Sequence, residues 1–360
     1  MRGSTGRVIV ARAPVRISFG GGGTDLAAYY ERFGGFVVST AITRYCYVVA
    51  QQPADGGVHI ISADYGLVES FPVGREIAVR EPLSLPKAAV EHQWSRDLAR
   101  RGVDLFLASG VPPGSGLGSS SAMAAAICLA LATYLGHSLT GVQLAERACH
   151  LEIERLGFPI GKQDQYASAV GGLNAIEFAA NGVHVTPLRL PADVTRALNG
   201  RLLLFSTGRT HHSGQILEQQ QRESRSKPMV ITALHRIKEL AMEMCSALEA
   251  QDLDRFGHLL DRSWQEKKRL SERISTGAID GYYAAAREAG ALGGKITGAG
   301  GGGFLLLYCP PRRRQALRAT MAQRGLREMP FDFDEEGATV LTTPRERSRS
   351  EIEVLELAPA

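Results

Sequence analysis

Pro112-Pro113-Gly114-Ser115-Gly116-Leu117-Gly118-Ser119-Ser120-Ser121 is the stretch of the chain that decides its fold. The apolar run 104–109 before it predicts a β-strand, and the alanine-rich run 122–131 after it predicts a buried helix. Glycines let backbone N–H groups turn towards an anion, and a helix start adds unpaired N–H groups and the positive end of the helix dipole. A serine N-cap on an ordinary loop is the simpler explanation. Alternating glycines followed by a run of serines exceed what a cap needs, so we predict a phosphate-binding loop.

The composition is that of an ordinary globular protein. The 360 residues suffice for two domains, with 44% hydrophobic and 22% charged residues. A net charge of +4 is mild for this length and does not indicate a nucleic-acid partner. No apolar run approaches the ~20 residues that span a bilayer, and residues 1–7 lack the apolar segment of a signal peptide. The cysteines show no paired spacing, which argues against a disulfide framework or a zinc site. We therefore expect a cytoplasmic protein with no nucleic-acid or membrane partner.

The order of predicted strands and helices indicates two domains, 7–192 and 200–345. The first domain contains one or two strands at 7–19, interrupted at Pro14, and strands of an antiparallel sheet at 36–50 and 58–71. The second domain turns strongly helical from Met229, and strands near 326–333 and 338–343 complete it. Its helices at 229–270 suit either the core or a homodimer interface.

Two helix starts in the first domain carry capping signals. Thr24 or Asp25 is expected to cap a short helix that Gly34 ends. Thr140 is expected to cap a second helix that runs to Arg155.

Three glycine clusters, at 20–23, 114–118 and 298–303, suggest several loops that approach one ligand. The stretches around them, 14–25, 112–122 and 295–303, resemble the three motifs of the GHMP kinases, the superfamily of galactokinase, homoserine kinase, mevalonate kinase and phosphomevalonate kinase. The resemblance implies an α+β, two-domain GHMP-kinase fold. Its N-terminal domain would be ribosomal-protein-S5-domain-2-like and its C-terminal domain a ferredoxin-like α/β domain, with the active site in the cleft between them.

Within that superfamily, the segments 20–25 and 161–167 look like the heptose 7-phosphate kinase branch. Galactokinases have a glutamate and a histidine where this chain has Gly22 and Gly23. The resemblance implies ATP- and Mg²⁺-dependent phosphorylation of a sugar phosphate, with C1 of D-glycero-D-manno-heptose 7-phosphate as the leading acceptor. An L-fucokinase, a galactokinase-like enzyme or an octose kinase of a secondary-metabolite pathway is the alternative. A non-catalytic sugar- and ATP-binding regulator is the alternative of another class.

The resemblance also implies which residues bind ATP and magnesium. The ATP phosphates would be held by Pro113, Gly114, Ser115, Gly116, Leu117, Gly118, Ser119, Ser120 and Ser121. Magnesium takes one or two protein oxygens, here the Ser120 hydroxyl, with Ser119 as its competitor, and the Glu152 carboxylate. Glu154 competes with Glu152 but points to another side of the helix.

Asp164 is the residue that the resemblance assigns as catalytic base. Arg16 aligns with the arginine that faces this aspartate in sugar kinases, where it would hold the carboxylate and stabilise the γ-phosphoryl group.

The remaining assignments concern the acceptor. The substrate-binding residues would be Gly21, Gly22, Gly23, Thr24, Asp25, Lys162, Gln163, Arg209, Gly300 and Gly301. The cations for a 7-phosphate would be Arg209 with His211 and His212, in preference to Lys162 and Arg44.

Overall fold

The structure is a computed structural model that describes residues 8–72, 77–93, 101–208 and 213–341. Its strands are β1 (Ile9–Gly20), β2 (Gly35–Gln51), β3 (Val58–Ser62), β4 (Leu67–Phe71), β5 (Val103–Ser109), β6 (Leu173–Ala179), β7 (Gly182–Pro187), β8 (Leu202–Ser206), β9 (Gly293–Ile296), β10 (Phe304–Tyr308), β11 (Arg327–Glu328) and β12 (Thr339–Leu341). Its α-helices are α1 (Ala27–Phe33), α2 (Ser84–Ala88), α3 (Ser119–Tyr134), α4 (Gly141–Cys149), α5 (Gln163–Val170), α6 (Ala192–Asn199), α7 (Ser213–Ser226), α8 (Pro228–Glu249), α9 (Leu253–Lys268), α10 (Gly277–Glu288) and α11 (Arg314–Gln323).

The first sheet is built around β2. This strand pairs with β1 on one side, and with β5 and β6 along different parts of the other side. The predicted interruption of β1 is a register shift between Pro14 and Val15 within a single strand, since proline has no N–H to donate to a ladder. The segment predicted at 58–71 divides into β3 and β4. The expectation of an antiparallel sheet holds for β3 with β4 but is wrong for β3 with β5, which pair parallel.

The second sheet has the order β11-β8-β10-β9 and is antiparallel. The last predicted strand does not complete it. β12 pairs instead with β1, where Val10 lies opposite Leu341, so this part of the prediction is wrong. The chain therefore returns to its first sheet and ties the two halves together.

The two halves also share a core. The alanine-rich helix α3 is almost entirely buried, as predicted. Leu240 and Met244 of α8 are buried, and the ring of Phe256 on α9 meets that of Phe19 on β1 edge to face, with centroids 5.3 Å apart. The long helices thus pack against the end of β1 and bring the second half of the chain to it. Among the described residues, no helix has the length and apolar character to cross a membrane.

Helix α7 is an element that the sequence did not predict. Its sequence is rich in glutamine, glutamate and arginine, and its mean hydropathy is low. The positions that it buries are Ile216, Gln220 and Ser224, at the i, i+4, i+8 spacing of one helix face. Because two of these three residues are polar, the helix lacks the apolar stripe that reveals most amphipathic helices.

Helix α4 begins as predicted, and we expect the change Thr140→Ala to lower the free energy of unfolding by about 1 kcal/mol. The Thr140 hydroxyl accepts from the Gln143 N–H at 3.2 Å, and the Gln143 side chain accepts from the Thr140 N–H at 2.9 Å. This capping box satisfies two helix donors. Urea unfolding measures the loss, and Thr195→Ala is the control because that hydroxyl bonds only back to the Pro191 carbonyl. Equal losses in the two variants would contradict the assignment.

Candidate active site

A cavity of about 340 Å³ lies where the two halves of the chain meet. The first half contributes the end of β1 and the starts of α3 and α5. The second half contributes α7, α9 and the loop after β9. The cavity has the size and the concave, two-sided form of a small-molecule site.

The glycine-rich loop before α3 forms one wall of this cavity. Gly114, Gly116 and Gly118 have φ angles of 71°, 74° and 76°, in the left-handed region that favours glycine. Gly118 is the N-cap of α3 and no side chain caps the first turn, so the serine-cap explanation does not hold. Ser119, Ser120 and Ser121 begin the helix and line the cavity. The loop thus points a helix N-terminus at the cavity, a geometry that favours anions.

The third glycine cluster packs directly on this loop. The Thr297 hydroxyl donates to the Ser115 carbonyl at 3.1 Å. A Cβ on Gly298 would lie 2.6 Å from the Gly116 Cα, so the two loops touch backbone to backbone. Gly298 and Ala299 line the cavity. Gly300 and Gly301, predicted to bind substrate, are not among its lining residues, and the Gly301 N–H is bound to the Ile274 carbonyl at 2.8 Å.

The structure brings Arg16 and Asp164 together, as predicted. The Arg16 Nε and Nη2 donate to the two carboxylate oxygens of Asp164 at 2.7 and 2.8 Å, while its Nη1 donates to the Gly116 carbonyl at 2.8 Å. A Cβ on Gly118 would lie 3.1 Å from the Asp164 carboxylate. A bidentate arginine pair thus holds the carboxylate directly beside the glycine loop.

Ser120 and Glu152 also meet. The Ser120 hydroxyl donates to Glu152 Oε1 at 2.6 Å, and Gln165 Nε2 donates to Oε2 at 2.7 Å. Glu152 is fully buried behind Ser120, and burial raises the pKa of its carboxyl to about 7 despite these hydrogen bonds. Its competitor Glu154 is exposed and bonds His150, within the π-helical turn His150–Arg155 that follows α4.

Asp25 forms the floor of the cavity on the side of the first glycine cluster. Its carboxylate accepts from the backbone N–H groups of Gly23 and Gln163 at 2.8 and 3.2 Å. Burial raises the pKa of this carboxyl, and the neighbouring Asp164 raises it further. A Cβ on Gly161 would collide with this side chain at 1.9 Å, so the glycine that precedes the α5 helix makes room for it.

Thr24 has a different place from the predicted one. It is fully buried, and its hydroxyl donates to the Gly21 carbonyl at 2.8 Å and accepts from the Phe36 N–H at 3.1 Å. These bonds hold Gly21 and its loop and leave no exposed hydroxyl for a substrate. Neither Thr24 nor Asp25 caps α1, whose N-cap is Leu26 with no side-chain bond.

Several other predicted residues do not line the cavity. Ser115 and Leu117 are buried within the loop, and Pro113 faces a neighbouring cavity. The Lys162 ammonium lies over the Tyr30 ring, 5.5 Å from its centroid. Arg44 donates to the Pro330 carbonyl, and Arg209, His211 and His212 lie outside the described residues.

The cavity is also lined by two buried lysines, which the sequence did not predict. Lys267 on α9 donates to the Gly298 carbonyl, and Lys295 on β9 donates to the Ser18 carbonyl at 2.8 Å. Burial lowers the pKa of both amines, that of Lys267 to about 8. The sequence does not distinguish Lys267, since it is one of two adjacent lysines at a helix end.

We expect Lys267 to give the activity of the protein an alkaline limit. As the pH rises through about 8, this amine loses its proton and the cavity loses a cation. The value of kcat/KM for an anionic substrate should then fall above pH 8, because it reports groups of the free enzyme. Lys267→Met should lower kcat/KM roughly tenfold and remove its decrease above pH 8.

Lys268→Met is the matched control for this experiment. Lys268 adjoins Lys267 but points outward, where it pairs with Asp280 at 3.4 Å. Comparable losses in the two variants, or a flat profile for the wild type between pH 7 and 9, would contradict a role for Lys267.

A second cavity of about 310 Å³ opens on the other side of the glycine loop. The two cavities share Gly114, Ser119, Ser120 and Phe158. The apolar side chains that line the second one include Leu83, Leu85, Leu107, Met123 and Phe158. The second cavity also has polar side chains in its lining, among them Asp64, Glu81 and Ser84. It therefore suits a group with both apolar faces and polar edges.

Comparison with known proteins matches both halves of the chain. Residues 84–172 match the N-terminal domain of the GHMP kinases, and residues 244–326 match their C-terminal domain. The D-glycero-alpha-D-manno-heptose 7-phosphate kinase of Campylobacter jejuni is 31% identical over 82% of this chain and 87% of its own length. The L-fucokinase/L-fucose-1-P guanylyltransferase of Bacteroides fragilis is 27% identical over 82% of this chain and 34% of its own length.

A solved structure is similar over almost the whole chain. The crystal structure of a D-glycero-D-manno-heptose 1-phosphate kinase from Bacteroides thetaiotaomicron has a TM-score of 0.78 and 27% identity. The match covers 93% of this chain and 99% of the chain of that kinase. The similarity thus includes both halves that line the cavity.

Proposed function

The chain belongs to the GHMP kinase family, and we propose that it uses ATP to phosphorylate C1 of D-glycero-D-manno-heptose 7-phosphate, giving the 1,7-bisphosphate. The observation that carries this proposal is the pair of Arg16 and Asp164 beside the glycine loop. Phosphoryl transfer needs a phosphate cradle next to a group that orients or deprotonates the attacking hydroxyl. This arrangement supports Asp164 as the base and Arg16 as the residue that holds it.

We assign the two cavities to the two substrates. The second cavity suits the adenine base, since apolar side chains such as Leu83 and Met123 can contact the ring faces and polar ones can bond its edges. The loop with the start of α3 suits the phosphates of ATP through its N–H groups. The larger cavity then receives the acceptor, between Asp25 and Asp164. Arg16 and Lys267 supply positive charge on this side, where negative charge accumulates during transfer.

The residues present fit a magnesium ion. Glu152 is a buried carboxylate whose hydrogen-bond partners are neutral, and its raised pKa expresses the cost of that charge without a cation. Magnesium favours one or two protein oxygens together with phosphate oxygens, and the Ser120 hydroxyl lies beside the Glu152 carboxylate. These two residues would hold the ion, which would neutralise charge on the ATP phosphates.

We propose that residues 7–192 and 200–345 act as the two domains of this kinase. The two family matches support this division, because one lies in each range. The second sheet also lies wholly within the later range. β12, from the later range, joins the first sheet at the start of β1 and keeps the halves in contact.

The acceptor is the finer part of the proposal. The heptose kinase from Campylobacter jejuni supports a heptose phosphate, and the fucokinase from Bacteroides fragilis keeps L-fucose as the alternative. Gly22 and Gly23 leave no side chain on the first loop where galactokinases carry two. This departure disfavours galactose.

An ADP-release assay with Mg²⁺ and ATP tests the proposal across heptose 7-phosphate, unphosphorylated heptose, L-fucose and galactose. We expect the highest kcat/KM with heptose 7-phosphate, and a product that loses its reducing end as C1 is phosphorylated. Preference for L-fucose would overturn the acceptor but not the kinase. Tight ATP binding with no ADP from any sugar would favour the regulator instead.

A further inference from the structure

We infer that Gln220, together with Ser18 and Gln163, forms a neutral polar recess that selects the acceptor through its hydroxyl groups. The recess lies in the larger cavity beside Gly22 and Gly23. The inference rests on the proposed function, and it assigns to helix α7 a role in acceptor choice.

The three side chains are buried and incompletely bonded. Ser18, Gln163 and Gln220 are 6%, 9% and 5% exposed, and each lines the cavity. The Ser18 Oγ, Gln163 Oε1 and Gln220 Nε2 have no hydrogen-bond partner among the described residues. A buried polar atom left unsatisfied costs about 1–3 kcal/mol. These three atoms are sealed from solvent, but their side chains line one cavity, so a ligand there completes their bonds once the side chains turn towards it.

The first glycine loop lies against these side chains, and Gly23 makes room for Gln220. A Cβ on Gly22 would lie 3.5 Å from Gln163 Nε2 and 3.6 Å from Ser18 Oγ. A Cβ on Gly23 would lie 2.1 Å from Gln220 Nε2, so any side chain there would displace Gln220. The amide that reaches this point from α7 thus occupies the space that a side chain of the first loop would otherwise fill.

The chemistry of the recess indicates what it binds. A serine hydroxyl and two carboxamides each offer a donor and an acceptor, and a sugar hydroxyl needs both. All three are uncharged, and the nearby Lys295 amine donates to the Ser18 carbonyl at 2.8 Å and to the Phe19 carbonyl at 3.4 Å. The recess therefore suits the neutral, hydroxyl-bearing part of an acceptor, and a phosphate on that acceptor would lie elsewhere.

The position of Gln220 in α7 has no structural explanation of its own. It lies on the buried face between Ile216 and Ser224, and a Cβ on Gly23 would also meet Leu234 at 3.2 Å. An apolar residue at position 220 would pack in these surroundings without an unsatisfied amide. Gln220→Leu should therefore leave the melting temperature unchanged or raise it.

The decisive experiment compares Gln220→Leu with the wild type in steady-state kinetics. We expect kcat/KM for the preferred sugar to fall about 10- to 100-fold, as for the loss of one or two hydrogen bonds. The KM for ATP should change less than twofold. A panel of deoxy-sugars adds a second readout, because the analogue lacking the contacted hydroxyl should be discriminated by the wild type but not by the variant.

Gln219→Leu is the control on the same helix. The Gln219 side chain is bonded to Glu223 and Ser271 at 3.1 and 3.4 Å, away from the recess, and its replacement should leave acceptor preference unchanged. Ser18→Ala is the second variant and decides the matter if Gln220→Leu does not fold. If the wild type phosphorylates sugars but both variants keep its kcat/KM and preference, the recess is overturned while the kinase stands. If the wild type phosphorylates none of the sugars, binding is compared instead. Calorimetry measures the affinity of the wild type and both variants for heptose 7-phosphate in the presence of a non-hydrolysable ATP analogue. Unchanged affinity in both variants overturns the recess.

Discussion

Asp164→Asn should lower kcat about 10³-fold while the protein still binds ATP. The change removes the carboxylate that we propose accepts the proton of the acceptor hydroxyl, and a general base is worth 10²–10⁴ in rate. The asparagine oxygen can still accept from one Arg16 nitrogen, and Arg16 keeps its bond to the Gly116 carbonyl at 2.8 Å. The glycine loop and its phosphate site should therefore survive. A steady-state assay measures the loss of kcat, and calorimetry with a non-hydrolysable ATP analogue measures the retained ATP binding.

The control for this variant is a second aspartate in a helix first turn. Asp193 is exposed at the start of α6 and does not line either substrate cavity, so Asp193→Asn should behave as the wild type. Turnover of Asp164→Asn within a few fold of the wild type would exclude Asp164 as the base. A large loss of ATP affinity would instead mean that Asp164 acts by holding Arg16 against the loop.

The fold and the glycine loops were predictable because their signals are local. The stretch from Ser109 to Ser121 combines a strand end, left-handed glycines and a helix start, and the structure has each of them. The GHMP fold is confirmed by the family matches and by the heptose kinase structure. Pairs such as Arg16 and Asp164 lie 148 positions apart. They were predictable only because the resemblance to sugar kinases aligned both partners.

Other features depend on packing that no local pattern records. Lys267 and Gln220 reach the cavity because α9 and α7 pack against the end of β1 and the first glycine loop, and each lies in an unremarkable polar stretch of its helix. β12 looked like one more strand of the second sheet, since its few residues carry no sign of their partner. Thr24 beside Asp25 looked like a substrate ligand, and only the structure reveals that its hydroxyl is used within the loop.

The charges around the larger cavity are buried and of both signs. Arg16, Lys267 and Lys295 lie near the carboxylates of Asp25 and Asp164. Burial together with neighbouring like charges raises the pKa of Asp25 and lowers the pKa values of Lys267 and Lys295. Asp164 pairs with Arg16, and Asp25 interacts with the two lysines. Glu152 differs from both, since its hydrogen-bond partners are neutral and no cation among the described residues pairs with its fully buried charge. A buried charge without an opposite charge is costly, and a protein that keeps one gains something by it.

The variant Glu152→Gln should separate the contribution of this charge to activity with magnesium from its cost to the stability of the fold. With ATP and Mg²⁺, we expect kcat/KM to fall on the order of 10²- to 10³-fold, because the charge stabilisation that a metal gives is worth several kcal/mol. The Mg²⁺ concentration for half-maximal activity should rise as well. Calorimetric titration of Mg²⁺ in the presence of the ATP analogue gives the same comparison without turnover. Glu154→Gln, on the exposed side of the same turn, is the matched control and should change neither value.

The same variant should be at least as stable as the wild type in the absence of magnesium and ATP. The folded-state pKa of Glu152, about 7, lies above the ordinary value of 4.5. Between these pH values the unfolded chain loses the proton first, so wild-type stability falls as the pH rises, by at most on the order of 3 kcal/mol. Glutamine does not ionise, and Gln165 can turn its unpartnered Oε1 towards the new amide. Urea unfolding at pH 4.5 and pH 8 should therefore show the variant gaining stability relative to the wild type at the higher pH. A purely structural Glu152 would predict the opposite, a less stable variant at pH 8, and that result would remove it from the proposed metal site.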